Sequence, residues 1–262
     1  MTANPYDVDA AAPGSEHTLL GYAAASAAVP VSGARLDLPY GPDPDERLDL
    51  HLPDGTPRGT VVFFHGGYWR GGAKEQRRFM APAYAAAGLA WVNVEYPLAP
   101  RVTLRDIVAS AHRAVAWVAA QAATFAPGRP LVLTGNSAGA HLAAVGAAGG
   151  IRVDAVVALS GLYDLRPLVG TPQGDAIGLD ANAAVASSPL LAPTPTDVPF
   201  LLAVGGAETD AFVEQTFAFY RHRRGKGASD TLLVPARHDH FSIIADLAVP
   251  ASPVFQAAAF VS

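Results

Sequence analysis

Cysteine is absent from all 262 residues, which excludes disulfides, thiolate metal sites and a cysteine nucleophile. Charge is scarce as well. Only 16% of residues are Asp, Glu, Lys or Arg, against about 25% in an ordinary globular chain. The net charge is -5 and no basic tract occurs, so nucleic acid is not an expected partner. No apolar run reaches the length of roughly 18 residues that a membrane-spanning helix requires. Residues 1–30 lack the positive start and apolar core of a secretory signal, and a cytoplasmic location is the expectation. His238-Asp239-His240 offers two imidazoles but no third ligand at metal-site spacing. No metal and no organic cofactor is therefore expected.

What the chain does have is apolar bulk. Half of its residues are hydrophobic, many of them alanine, which suits small helices packed closely on a sheet. The length fits a single α/β domain over 1–262 with a substantial core. Residues 34–38 and 47–52 alternate apolar and polar side chains, as half-exposed strands do. Gly41-Pro42-Asp43-Pro44-Asp45 between them is turn chemistry, so the two read as an antiparallel hairpin at a sheet edge. Continuous apolar runs at 60–64, 89–94, 131–134, 153–159 and 199–204 read as buried strands, with a further strand at 230–234. Helical periodicity spans 75–87, 104–124 and 210–224, and a last helical region starts at 241–247. Strands alternating with helices give a mostly parallel sheet with helices on both faces. Residues 162–198 show little pattern for their length; such a stretch between strands is usually functional, and it is read as a small cap or rim. Residues 1–30 are a surface arm or a flap over the pocket.

The most telling stretch is Leu131 to Leu142, LVLTGNSAGAHL. A strand runs into Gly135-Asn136-Ser137-Ala138-Gly139, and a small-residue helix follows. A G-x-S-x-G corner of this kind exposes the serine and aims a helix N-terminus at it. Ser137 stands where a dinucleotide fingerprint needs its second glycine, so that reading fails. Gly67 to Lys74 fails as a phosphate loop, because its lysine is displaced and no Ser or Thr follows.

A serine nucleophile needs a base, and the base an orienting acid. In a parallel sheet these come from loops at the carboxyl ends of strands, in the order serine, acid, histidine. Glu208 and Asp210 follow the strand at 199–204. Asp210 abuts the next helix and suits a cap, which favours Glu208 as the acid. His238 and His240 follow the strand at 230–234. His240 is favoured as the base because it abuts Phe241 and the start of the last helical region. An acyl-transfer intermediate also needs backbone N–H donors for its oxyanion. Ala138 supplies one; Gly67 and Tyr68, in the His65-Gly66-Gly67-Tyr68-Trp69 loop, are assigned as the others, with His65 organising the loop. Tyr68, Trp69 and Phe241 are expected beside the substrate, core packing being the competing role for Tyr68 and Trp69.

With these residues in hand, the chain resembles the α/β-hydrolase superfamily, and within it the kynurenine formamidase and small carboxylesterase group. The resemblance runs from about Tyr40 to Leu247. It rests on YGPDPDERLDLHLP, HGGYW, VNVEYPLAP, GNSAGAHLA, LSGLYDL, ASSPLL, VGGAETDAFVEQ and DHFSII. It implies Ser137, Glu208 and His240 as a triad and the HGGYW loop as the oxyanion region; family formamidases often carry aspartate where this chain has Glu208. The implied activity is hydrolysis of a small-molecule ester or amide. A thioesterase on the same scaffold and a non-catalytic binding protein are the alternatives.

Overall fold

The computed structural model describes residues 4–259. Among them, one sheet contains eight strands: β1 (Arg35–Pro39), β2 (Arg47–His51), β3 (Thr60–Phe64), β4 (Ala90–Val94), β5 (Leu131–Asn136), β6 (Ala155–Leu159), β7 (Phe200–Ala203) and β8 (Thr231–Leu233). The helices are α1 (Val8–Ala11), α2 (Ser15–Ala27), α3 (Ala81–Ala86), α4 (Leu104–Phe125), α5 (Ala138–Ala147), α6 (Pro172–Ala176), α7 (Ala181–Ala186), α8 (Asp210–Gly225) and α9 (Pro253–Ala259). The strand order is β1-β2-β4-β3-β5-β6-β7-β8. Only β1 and β2 break the parallel run, each pairing antiparallel. The mostly parallel sheet read from the sequence is the one observed.

The apolar runs are continuous because both faces of the central strands are covered. Val62 and Phe64 of β3 join the core under α4, α5 and α8. Val61 and Phe63 join the opposite core, under α3 and α9. The register is level at one edge: Phe64 lies opposite Gly135, Asn136 opposite Leu159, and Leu159 opposite Ala203. The residues that leave these strand ends therefore emerge side by side.

Three expectations need correction. The alternation in β2 suggested a half-exposed strand, yet Leu48 through His51 are all buried: Leu48 and Leu50 join the core, and Asp49 is met by Lys74 and Arg78. Asp49 tolerates this by accepting from Lys74 Nζ and Arg78 Nη2, each at 2.8 Å, and from the Asp37 N–H at 3.0 Å. Burial pushes the Asp49 carboxyl up, but Arg78 and Lys74 outweigh it and hold it below its ordinary range. The helix expected over 75–87 is a 3-10 stretch, Lys74–Met80, that passes into α3. Pro82 has no N–H to give the Arg78 carbonyl four residues back, so an α-helix cannot run through. The helical region expected to start at 241–247 opens as a 3-10 stretch, Ser242–Ala248, and resumes as α9. No single helix among the described residues is long and apolar enough to cross a membrane.

One buried ion pair ties the last strands together. The side chains of Arg223 in α8 and Asp230 before β8 are both 0% exposed. The guanidinium donates to Asp230 at 2.6 and 2.9 Å and to the carbonyls of Pro195 and Val198 at 2.9 and 2.8 Å. Removing one partner of such a pair strands a charge. Asp230→Ala is expected to lower the unfolding free energy by about 3–5 kcal/mol. Urea denaturation reads this directly, and a loss within the surface-pair range of about 0–1 kcal/mol would contradict it.

Candidate active site

The corner at Ser137 is made by a single residue. β5 ends at Asn136 and α5 begins at Ala138. Ser137 has φ 56°, a left-handed conformation that non-glycine residues rarely hold outside functional sites. Its N–H donates to the Leu159 carbonyl at 2.8 Å. The flanking glycines allow backbone to touch backbone. A Cβ at Gly139 would lie 1.9 Å from the Phe64 carbonyl oxygen, and one at Gly135 would lie 2.4 Å from the Gly139 carbonyl carbon. Ala138 is fully buried behind the serine; its amide lies in the first turn of α5, where N–H groups have no intrahelical acceptor and the helix dipole is positive.

The loop after β3 winds left-handed through Gly67, Tyr68 and Trp69, with φ of 124°, 48° and 56°. The N–H groups of Arg70 and Gly71 both donate to the Gly67 carbonyl at 3.0 Å. Among the described residues no acceptor meets the amides of Gly67 or Tyr68. His65 holds the loop from beneath: Nδ1 bonds the Gly66 carbonyl at 2.8 Å and Nε2 bonds Glu95 Oε1 at 2.9 Å. Burial raises the Glu95 carboxyl, but the His65 bond and the amides of Lys74 and Tyr96 carry it below its ordinary range. Lys74 is turned away from any phosphate role, with Nζ bonded to Asp37, Asp49 and Glu75.

Trp69 is not beside the substrate space. It is fully buried, and its Nε1–H donates to His141 Nδ1 at 3.2 Å. His141 Nε2–H in turn donates to the Ser187 carbonyl at 2.7 Å. The bulk of the indole and its need for one buried acceptor put it in the core.

Two strands further on, Glu208 Oε2 accepts from His240 Nδ1 at 2.7 Å, the side chains being 1% and 6% exposed. Glu208 Oε1 accepts from the Ser160 hydroxyl at 2.5 Å and the Gly205 N–H at 2.7 Å. Asp210 is the exposed first residue of α8. His238 turns elsewhere, its ring nitrogens 3.3 Å from Ser242 Oγ and 3.5 Å from Asp246. Ser160 was missed by the sequence reading. Its signal was available: it is the polar residue that leaves β6, the strand between those of the serine and the acid.

Ser137 and His240 line one cavity of about 310 Å³, with Gly67, Tyr68 and Phe241. Ser137 Oγ makes no direct hydrogen bond to His240 in this structure; such bonds often tighten only when substrate is bound. Glu208 stands behind the imidazole, outside the cavity wall. Residues 162–198, expected as a cap, supply none of the lining. The N-terminal arm does, through Val8, Asp9 and Leu19. It is pinned by the Tyr68 hydroxyl donating to the Tyr6 carbonyl at 2.6 Å and the Tyr22 hydroxyl donating to the Phe241 carbonyl at 3.0 Å. Arg70, Gln76 and Arg77 also line the wall and were not anticipated.

A parallel sheet with a serine at the corner after β5, and an acid-paired imidazole beyond β7 and β8, defines the α/β-hydrolase class. The family model BD-FAE matches residues 48–220, and the chain belongs to that family. It is 30% identical to the kynurenine formamidase of Salmo salar over 81% of this chain and 76% of that one. The kynurenine formamidase of Danio rerio is 29% identical over 83% and 78%. A crystal structure from a Silicibacter species, provisionally described as a thioesterase, superposes with a TM-score of 0.87 at 32% identity over 98% of each chain.

Burial drives the His141 pKa down to about 4, the Ser187 bond opposing only part of the shift. Below the ordinary value of 6.5, the unfolded chain takes up a proton that the native ring refuses. Stability from this group is therefore present above 6.5 and is lost as pH falls toward 4, at up to about 1.4 kcal/mol per pH unit. His141→Gln is expected to flatten that part of the stability profile measured by urea unfolding. An unaltered acid slope would show that His141 is not its source.

Proposed function

We propose that this protein is a serine hydrolase that cleaves a small carboxylic ester or amide through an acyl-enzyme. The observation that carries the reading is the 2.7 Å Glu208–His240 pair behind a cavity shared with Ser137. His240 takes the Ser137 proton as Oγ attacks the acyl carbon. The amides of Gly67, Tyr68 and Ala138 hold the oxyanion. Glu208 keeps the imidazole in the tautomer with its proton on Nδ1 and stabilises the imidazolium. Ser160 and the Gly205 amide satisfy the second carboxylate oxygen and so aim the first. His240 then gives its proton to the leaving alcohol or amine, and a water, deprotonated in the same way, releases the acid and restores the serine.

The cavity of about 310 Å³ is at the small end of ligand sites, which run from about 300 to 1,000 Å³. That favours a compact substrate. Two relatives bear the name kynurenine formamidase and the solved neighbour a provisional thioesterase description, so formamide, ester and thioester are the substrates to compare. N-formylkynurenine against p-nitrophenyl acetate separates the formamidase from the plain esterase.

Ser137→Ala is expected to cut turnover by about 10⁴-fold or more with the fold retained. A fluorophosphonate should label Ser137 in the parent protein. Labelling elsewhere rules out this nucleophile, and no labelling favours a non-catalytic binder. Glu208→Gln and His240→Ala should each be far more damaging to kcat than Asp210→Asn and His238→Ala. The reverse ranking in steady-state assays would reassign the acid or the base.

A further inference from the structure

Three basic side chains are buried among the described residues: Lys74, Arg77 and Arg223. Two are paired, Lys74 with three carboxylates and Arg223 with Asp230. Arg77 is different. It is 5% exposed, and among the described residues no carboxylate meets it. Its Nη1 donates to the neighbouring Gln76 carbonyl at 3.1 Å, and its Nε–H has no acceptor at all.

An unpaired cation taken out of water is costly, and a guanidinium cannot escape the cost by shedding its proton near neutral pH. Burial lowers the Arg77 pKa, and the ionisable groups acting against that are Tyr22 and Tyr96. Neither supplies a negative charge: burial raises Tyr22 to about 12 and Tyr96 well above its ordinary value. The neighbouring Arg78 is already engaged by Asp49. Arg77 lines the same cavity as Ser137 and His240. The other charged residues of that wall are Arg70 and Asp9, both exposed, and the positive groups outnumber the negative one.

We infer that Arg77 is the anion site of the substrate cavity, and that the substrate is a small ester or amide carrying a carboxylate. This deepens the hydrolase reading and rests on it. A carboxylate suits the site because its planar oxygens match a guanidinium edge. The missing counter-ion of Arg77 is then supplied by the ligand, and a neutral substrate leaves the buried cation uncompensated.

The test compares 4-acetoxybenzoate with 4-acetoxybenzamide, which share an acetyl group and a phenol leaving group and differ in one charge. The readout is the ratio of their kcat/KM values, charged over neutral. Arg77→Gln is expected to lower that ratio by about ten- to a hundredfold, the range of a hydrogen bond to a charged group, and Arg77→Lys to restore part of it. A ratio unchanged in Arg77→Gln overturns the inference. Should that variant fail to fold, the parent protein decides. Benzoate should inhibit p-nitrophenyl acetate turnover at least about tenfold more tightly than benzamide, and equal inhibition overturns the inference. Calorimetry of benzoate on the Ser137→Ala protein separates the two readings. Benzoate binding without fluorophosphonate labelling of Ser137 in the parent would sink the hydrolase reading alone. Labelling without a charge preference would sink this one alone.

Discussion

Bare main chain pressed on bare main chain is the constraint from which the rest follows. Gly139 leaves no room for a methyl group against the Phe64 carbonyl, and Gly135 leaves none against Gly139. Side chains can relax by changing rotamer; backbone atoms in contact cannot, because interiors are close-packed. The corner after β5 is therefore fixed relative to the end of β3. The loop starting at His65 follows immediately, so that a Cβ on Gly66 would sit 3.1 Å from the Ser137 Cβ. The proposed nucleophile and the proposed oxyanion donors inherit their spacing from this contact and from the level register of β3, β5, β6 and β7.

Charge is used sparingly, and apart from Arg77 the buried Lys and Arg side chains are held in ion pairs. Asp49 gathers Lys74 and Arg78 beneath the sheet edge. Glu95 steadies His65, Arg223 binds the approaches to β7 and β8, and Glu208 orients His240. Except for Arg223 with Asp230, each pair joins residues 25 or more positions apart in the chain.

Much of this was legible beforehand, for identifiable reasons. A strand covered on both faces carries few polar residues, so TVVFF and LVLT declared themselves. The glycines around Ser137 and in HGGYW marked close approaches that no other residue permits. Glu208 was separable from Asp210 because a helix start has its own use for an acid. What stayed hidden depends on tertiary neighbours. The burial of Asp49 could not be read without knowing that Lys74 and Arg78 come to lie against β2. Trp69 faces the core because His141 offers it an acceptor 72 residues later in the chain. The arm's lodging over the cavity rests on hydrogen bonds from Tyr68 to Tyr6 and from Tyr22 to Phe241, and nothing in residues 4–30 alone announces them. The isolation of Arg77 is a fact about missing neighbours, which no local pattern records.

The arm carries a further consequence. It furnishes part of the cavity wall through Val8, Asp9 and Leu19, yet none of the bonds linking Glu208, His240, Ser160 and Gly205 involves it. This part of the wall and the carboxylate–imidazole pair thus come from different stretches of polypeptide. A change at Val8, Asp9 or Leu19 would then alter the shape of the cavity while leaving every partner of the Glu208 carboxylate in place.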